Sequence, residues 1–224
     1  MNEKIKIFVV DDHPIVFEGL KSIFSDEADI EICGFSDNIE EAHSGIGQSQ
    51  PHLLLSDINF KGLNVGIEFI SQTQKRFPHL KIVAISMLEE EIYADRAARA
   101  GAMGYVMKSE LTGKIISAVR EVMKGQVFFS PVVLSKMIGT LQKRSGNPGE
   151  LWQSLSNREI QVFELIADGA ATKEIAEKLQ LSSKTIDTYK NRLRLKLNLK
   201  NNAALTKYAI QQFKSGKLSN KARQ

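Results

Sequence analysis

Over its first 125 residues the chain alternates short apolar runs with segments of helical period, and few folds accept that alternation. The runs are Ile5–Val10, Ile30–Phe35, Leu53–Leu55, Lys81–Ser86 and Met103–Met107. Between and after them lie Pro14–Phe24, Asn38–Gln48, Gly66–Phe77, Glu89–Ala100 and Leu111–Lys124. The first helical segment carries Ile15-Val16, then Leu20, then Ile23-Phe24, one apolar stripe, and Pro78 ends the third. Runs that are apolar throughout, rather than at every second residue, belong to strands covered on both faces. The expected fold is α/β: a doubly wound, five-stranded parallel sheet with helices on either side, followed by an all-α domain.

The pattern changes after Gly125. Ser130-Pro131 opens a helix predicted to run to about Lys143, and Arg144-Ser145-Gly146-Asn147-Pro148-Gly149 has the composition of a linker. From Leu151 onward only helical periodicity is found. The expected division is 4–125 for the α/β domain, 126–150 for a linker with one helix, 151–215 for the helical domain and 216–224 for a polar tail. Charge divides the same way. Residues 1–125 hold 13 basic and 19 acidic side chains, a net −6, whereas residues 151–224 hold 14 and 6, a net +8. A basic second domain points to nucleic acid, with a solvated basic surface as the alternative. The one cysteine, Cys33, excludes an intramolecular disulfide scaffold. No stretch reaches the roughly 18 apolar residues of a membrane span. The run Ile7–Val10 falls short of the about 7–15 residues of a signal-peptide core. A soluble, cytoplasmic protein without membrane contact is expected.

Ligands of parallel α/β sheets bind at the carboxyl ends of the strands. There the chain places Asp11-Asp12 after the first strand, Ser56-Asp57 after the third, Ser86 at the end of the fourth and Lys108 after the fifth. Asp-Asp by itself can be a helix cap. Four strand ends together describe something else. Carboxylates crowded at one edge repel, and a cation relieves them. Two or three carboxylates with room for water suit Mg²⁺, which also takes phosphate oxygens. A carboxylate can attack phosphorus to give an aspartyl phosphate, with the cation and a lysine neutralising the phosphoryl charge.

These residues carry a resemblance. Val9-Val10-Asp11-Asp12-His13-Pro14, Leu54-Leu55-Ser56-Asp57, Ala84-Ile85-Ser86 and Gly104-Tyr105-Val106-Met107-Lys108 resemble the flavodoxin-like receiver domain of bacterial two-component response regulators. The resemblance implies that Asp57 is the phosphoacceptor. It implies that Asp12 and Asp57 bind Mg²⁺ directly, Asp11 through water and Asn59 through its main-chain carbonyl. Ser86 and Tyr105 fall at the family's switch positions and Lys108 at its invariant lysine. Two departures are visible: Phe60-Lys61 stands where Met-Pro is usual, and the loop before Gly66 is one residue longer.

In the basic domain, Ser156-Asn157-Arg158-Glu159 reads as a capping box before an apolar stripe at Ile160, Phe163 and Ile166-Ala167, and Gly169 ends that helix. A short helix from Thr172, a turn at Gln180-Leu181-Ser182 and a longer helix from Ser183 to Leu197 make a helix-turn-helix. Ile186, Tyr189, Leu193 and Leu197 form the longer helix's expected buried stripe. Lys184, Asp187, Thr188, Asn191 and Arg194 lie opposite, with Lys190, Arg192, Lys196 and Lys200 extending the positive surface. Asn, Lys, Asp and the Thr methyl are the groups that read adenine, guanine, cytosine and thymine in a major groove. Leu155-Ser156-Asn157-Arg158-Glu159, Lys173-Glu174-Ile175-Ala176, Ser183-Lys184-Thr185-Ile186, Tyr189-Lys190 and Lys196-Leu197 are similar to the LuxR-type helix-turn-helix of the NarL/FixJ subfamily. The expected DNA-contacting set is Lys184, Thr185, Asp187, Thr188, Lys190, Asn191, Arg192 and Arg194. Asn201 to about Phe213 is a further helix whose Ala204, Leu205, Tyr208 and Ala209 suit a dimer contact or the domain core alike.

Together the two resemblances imply a transcription factor controlled by phosphorylation, catalysing no more than its own phosphoryl transfer and hydrolysis. Its partners would be double-stranded DNA, a sensor histidine kinase or phosphotransfer protein, and a second copy when active. An aspartate-nucleophile phosphatase also uses Asp57 and Mg²⁺, but it needs an acid two residues on, where this chain has Asn59. His13, His43, His52 and His79 show no metal-ligand spacing.

Overall fold

Five parallel strands form one sheet in the order β2-β1-β3-β4-β5, as laid out in a computed structural model that describes residues 4–60, 65–142 and 155–214. The strands are β1 (Ile5–Val10), β2 (Ile30–Ser36), β3 (Leu53–Asp57), β4 (Lys81–Ser86) and β5 (Gly104–Met107). The helices between and after them are α1 (Pro14–Ser25), α2 (Ile39–Ser49), α3 (Gly66–Arg76), α4 (Glu90–Ala100) and α5 (Leu111–Met123). The pleat sends Ile7, Val9, Leu53, Leu55, Val83, Ile85 and Val106 to one side. There they pack with Leu20 and Phe24 of α1 and Ile115, Val119 and Val122 of α5. Phe8, Leu54, Ile82 and Ala84 alternate with them and are equally buried, on the side covered by α2, α3 and α4. Burial on both faces explains why the inner strands β1, β3 and β4 read as nearly unbroken apolar runs, whereas the edge strand β2 carries Glu31 and is mostly half-buried.

The strand order changes direction between β1 and β3, and the crevice at the carboxyl ends of these two strands is the switch point where such sheets bind ligands. The register aligns Val10 of β1 with Ser56 of β3, and Asp57 with Ile85 of β4. β3 continues through Ser56 and Asp57, both buried, two residues past the apolar run that announced it. Gly66 opens α3 against this strand end. A Cβ there would stand 2.1 Å from the Asp57 carbonyl oxygen and 2.6 Å from Ile58 Cα, so no larger residue fits without moving the backbone beside Asp57.

The segment after α5 is not a free linker at its start. The Tyr105 N–H donates to the Phe128 carbonyl at 2.9 Å and the Phe128 N–H to the Met103 carbonyl at 2.8 Å, so Phe128 closes the outer edge of β5. Ser130 then precedes α6 (Pro131–Gln142), and its N–H donates to Glu90 Oε1 at 2.7 Å. The remainder of the predicted linker, Arg144–Gly149, lies outside the described residues, as do Lys61, Trp152 and the 216–224 tail.

The chain divides into two compact units, residues 1–139 and 140–224. Among its described residues, the second consists of α7 (Asn157–Ala167), α8 (Thr172–Lys178), α9 (Ser183–Lys196) and α10 (Asn202–Lys214). The capping box before α7 forms as its sequence predicts: Ser156 Oγ accepts from the Glu159 N–H, and Glu159 Oε2 accepts from the Ser156 N–H at 2.6 Å. Ile160, Phe163, Ile166, Ile175, Leu179, Ile186, Leu193, Leu197, Leu205 and Ala209 are buried. Leu205 and Ala209 are thus domain core, while Ala204 and Tyr208 are half-buried and Tyr208 meets Phe163 edge-on. Tyr189 departs from the expected stripe. It is half-buried, and the Arg192 guanidinium lies 6.0 Å from its ring.

Candidate functional site

The carboxyl ends of β1 and β3 bring together the residues that the sequence separates by nearly fifty positions. Asp11 follows β1, and its N–H donates to the Ser36 carbonyl of β2. It is wholly buried. Asp57, the last residue of β3, is 1% exposed. Lys108 enters from the turn after β5. Its Nζ stands 2.7 Å from Asp57 Oδ2 and 2.8 Å from Asp11 Oδ2, and its side chain is 5% exposed. Asp12 is half-buried beside them. The Asn59 N–H donates to Asp57 Oδ1 at 2.9 Å, which fixes the carboxylate from the loop side.

Burial pushes the Asp57 carboxyl up to about 6; the Lys108 charge opposes this, the Asp11 charge adds to it, and hydrogen bonds from Lys108 and the Asn59 N–H oppose it again. One ammonium shared by two buried carboxylates leaves the cluster short of positive charge. Two buried oxygens are also short of donors. Asn59 Oδ1 has no hydrogen-bond partner, and Asp11 Oδ2, though close to the Lys108 ammonium, receives no hydrogen bond. A hard dication with oxygen ligands meets both deficits, so the Asp11, Asp12 and Asp57 carboxylates are a donor set that fits Mg²⁺; the unpaired atom of Asn59 is its side-chain oxygen, not the main-chain carbonyl that the resemblance implies.

The two residues expected at switch positions stand one step away. Ser86 and Tyr105 are both buried. Ser86 Oγ accepts from the Leu88 N–H at 3.1 Å, and the Tyr105 hydroxyl donates to the Leu88 carbonyl at 2.8 Å. Burial drives the Tyr105 phenol far above its ordinary range, against the pull of a hydrogen bond with Ser86, so it stays a neutral donor. Both residues therefore grip the same main-chain unit, and Tyr105 already points inward.

One residue of the cluster was missed by sequence spacing. His13 Nδ1 lies 3.2 Å from Asp11 Oδ1, 2.9 Å from Asp12 Oδ1 and 4.0 Å from Asp57 Oδ2. Asp11, Asp12, His13 and Asp57 each offer an atom within 4.8 Å of the others. The signal was present as adjacency in Asp11-Asp12-His13, but only the meeting of two strand ends gives it meaning.

In the second unit, Lys184, Asp187, Thr188, Asn191 and Arg192 are exposed on α9. Several of the expected contacts already have partners, Thr188 among them, whose Oγ1 donates to the Lys184 carbonyl at 3.0 Å. Thr185 closes the start of α9, its N–H donating to Ser182 Oγ and its Oγ1 lying 2.8 Å from the same hydroxyl. Lys190 Nζ donates to Thr172 Oγ1 at 2.6 Å, tying α9 to the start of α8. Arg194 donates to Asn191 Oδ1 and to the Lys200 carbonyl. Lys196 does not extend a free positive surface as expected, because its Nζ lies 2.7 Å from the buried Glu159 carboxylate. Burial would raise the Glu159 carboxyl, but hydrogen bonds from Lys196 and Ser156 outweigh it and hold the group below its ordinary range. Leu195, absent from the expected set, is 82% exposed.

Both units match known protein families. Residues 7–120 match the response regulator receiver domain family, and residues 153–209 match the bacterial regulatory proteins of the luxR family. The oxygen regulatory protein NreC of Staphylococcus carnosus (strain TM300) is 32% identical over 210 residues, 92% of this chain and 97% of that protein. A DNA complex of the two-component response regulator RcsB is 26% identical, covering 92% of this chain and 98% of that one with a TM-score of 0.56. RcsB from Salmonella enterica serovar Typhimurium, bound to promoter rprA in the presence of the phosphomimetic BeF3−, shares the fold at 22% identity and a TM-score of 0.65, covering 93% and 99% of the two chains. No helix among the described residues is long and apolar enough to cross a membrane. With its receiver sheet, its acidic crevice and its LuxR-type helices, the chain belongs to the NarL/FixJ-type two-component response regulators, transcription factors rather than conventional enzymes.

Proposed function

We propose that Asp57 is the phosphoacceptor, that a sensor histidine kinase or phosphotransfer protein supplies the phosphoryl group, and that the phosphorylated form dimerises and binds double-stranded DNA by sequence. The observation that carries this reading is the buried Asp57 carboxylate at the end of β3, with Lys108 Nζ at 2.7 Å and Asp11 sharing the same ammonium. An Asp57 oxygen attacks phosphorus and the P–N bond of the phosphohistidine donor breaks. Lys108 passes from the carboxylates to the new phosphoryl oxygens, and the Ser86 hydroxyl donates to another. Asp11, Asp12, Asp57 and the Asn59 carbonyl are the groups that would hold Mg²⁺, which would supply charge neutralisation at those oxygens. The same groups orient water for hydrolysis, the extent of this chain's own catalysis.

In the second unit, Lys184, Thr188 and Asn191 present one exposed face of α9 for base edges, with Asp187 beside them. Lys190, Arg192 and Arg194 hold phosphates, which orient without specifying sequence. Thr185 sets the start of the helix as it enters the groove. Two such helices meet half-sites about 34 Å apart, which is why a dimer is needed. The test is phosphorylation from acetyl phosphate, followed by intact mass. The wild type gains one phosphoryl group with Mg²⁺ and none with EDTA, and Asp57→Asn gains none in either. Equal labelling of Asp57→Asn overturns the assignment.

A further inference from the structure

We propose that His13 supplies an imidazole nitrogen to the cation held by Asp11, Asp12 and Asp57, so that the site favours borderline first-row dications, from Mn²⁺ to Ni²⁺, over Mg²⁺. The inference rests on the reading of this cluster as a cation site and refines which cation it selects.

The place of His13 in the fold is the first argument. It occupies the N-cap of α1, where a side chain ordinarily accepts from the first free N–H groups of the helix. The His13 ring makes no such bond. Its main-chain N–H donates to Asp11 Oδ1 at 2.9 Å, which locks the residue beside the carboxylates. Pro14 follows at the first helical position and removes one of the amides that a cap would serve.

Distance is the second argument. Two atoms bound to one ion at about 2.0–2.1 Å lie about 2.8–3.0 Å apart when adjacent in an octahedron and about 4.0–4.2 Å apart when opposite. His13 Nδ1 is 2.9 Å from Asp12 Oδ1, 3.2 Å from Asp11 Oδ1 and 4.0 Å from Asp57 Oδ2. The separations from Asp12 and Asp57 are those of one neighbouring and one opposite ligand around a shared ion, while the contact with Asp11 Oδ1 is a hydrogen bond, in keeping with a carboxylate that reaches the ion through water. The ring is 55% exposed and lies on the solvent side of the cluster, whereas the Lys108 ammonium holds its buried side. Nitrogen is the third argument. Mg²⁺ prefers oxygen throughout, while an imidazole among carboxylates raises affinity along the series from Mn²⁺ to Ni²⁺. Ligation through Nδ1 leaves the ring proton on Nε2.

Calorimetric titration of the full chain with Mg²⁺, Mn²⁺ and Ni²⁺ tests the proposal, with His13→Ala as the variant and circular dichroism confirming its fold. His13→Ala is expected to weaken Mn²⁺ and Ni²⁺ binding about tenfold or more while moving Mg²⁺ affinity by less than about threefold. Electron spin-echo spectra of the Mn²⁺ form are expected to carry modulation from a directly bound nitrogen that His13→Ala abolishes. Equal loss for all three ions means that His13 acts as a general electrostatic or hydrogen-bonding neighbour, and it overturns the proposal. So does an unchanged Mn²⁺ affinity, or a wild-type spin-echo spectrum without nitrogen coupling, which decides the matter even where His13→Ala does not fold. If none of the ions binds the wild type, the reading of the cluster as a cation site falls with it. If Mg²⁺ alone binds, that reading stands and the role of His13 does not.

Discussion

At the scale of single residues, the chemistry of this chain comes from a charge placed where it is costly. Asp57 is buried, and its carboxyl is pushed up to about 6 from an ordinary 3.8. The fold thus favours the protonated form by about 3 kcal/mol. A carboxyl raised in the folded state contributes stability that is complete below its unfolded pKa and is lost as pH rises through the folded one. In the absence of divalent cations, the stability difference between wild type and Asp57→Asn should therefore change between about pH 4 and pH 7. Asp57→Asn should be the more stable of the two at neutral pH, by up to about 3 kcal/mol. Saturating Mg²⁺ should narrow the gap, because the cation neutralises the charge that the variant lacks. Urea unfolding at several pH values, with and without Mg²⁺, measures this directly. A wild type more stable than Asp57→Asn at neutral pH without cation would mean that Lys108 and Asp11 balance the site unaided. The main site residues were legible from sequence because each ends an apolar run, as Asp11-Asp12, Asp57, Ser86 and Lys108 do. His13 was not, since adjacency to Asp12 does not tell whether a ring turns toward its neighbours or toward solvent.

At the scale of elements, Glu159 shows one buried group setting the position of another helix. Its carboxylate closes the cap of α7 through the Ser156 N–H and pairs with Lys196 near the end of α9. Replacing it with Ala removes a cap and strands a lysine, which should lower the stability of the helical unit by about 1–3 kcal/mol. Because Glu159 titrates below its ordinary range, this contribution is present at neutral pH and lost as pH falls through and below the usual carboxylate range. Thermal melts of Glu159→Ala and wild type should therefore converge on acidification; a constant gap would show that the loss is one of packing. The capping box was legible in Ser156 and Glu159, but the Lys196 partnership was not, because the two residues are 37 positions apart. Strands announced themselves by burial on two faces, and β3 ends in Ser56-Asp57 as the sequence placed it, although its apolar run stops at Leu55. Ser56 and Asp57 are polar, yet they are buried as deeply as the leucines before them. Phe128 left no periodicity at all, since one residue paired to an edge strand has no pattern to repeat.

At the scale of the whole molecule, what has to be explained is how a charge at Asp57 reaches the segment that leaves the receiver. In the proposed function, phosphorylation of Asp57 would add roughly −1.5 to −2 charges, and the Ser86 hydroxyl would be the donor that meets them. Ser86 now accepts from the Leu88 N–H, while Tyr105 holds the Leu88 carbonyl. Tyr105 is already buried, so its ring has no outward position from which to swing inward. The change instead begins when Ser86 turns away and the Leu88 N–H loses its acceptor. Leu88 lies two residues before α4, whose first residue, Glu90, accepts from the Ser130 N–H at the head of α6. Met103 and Tyr105 hold Phe128 two residues earlier. Hydrogen bonds and the short Leu88–Glu90 segment thus join Ser86, beside the crevice, to the start of α6. Loading the wild type with beryllofluoride should raise duplex-DNA affinity by about 5–150-fold, the range of a coupling of 1–3 kcal/mol, and increase self-association. Glu90→Ala should shrink that gain while leaving beryllofluoride occupancy of Asp57 unchanged, because it cuts the path beyond the crevice. Fluorescence anisotropy with duplex DNA, and sedimentation of the same samples, measure both quantities. A full gain in Glu90→Ala would place the coupling elsewhere on the receiver, and no gain in an occupied wild type would mean that the receiver does not control DNA binding.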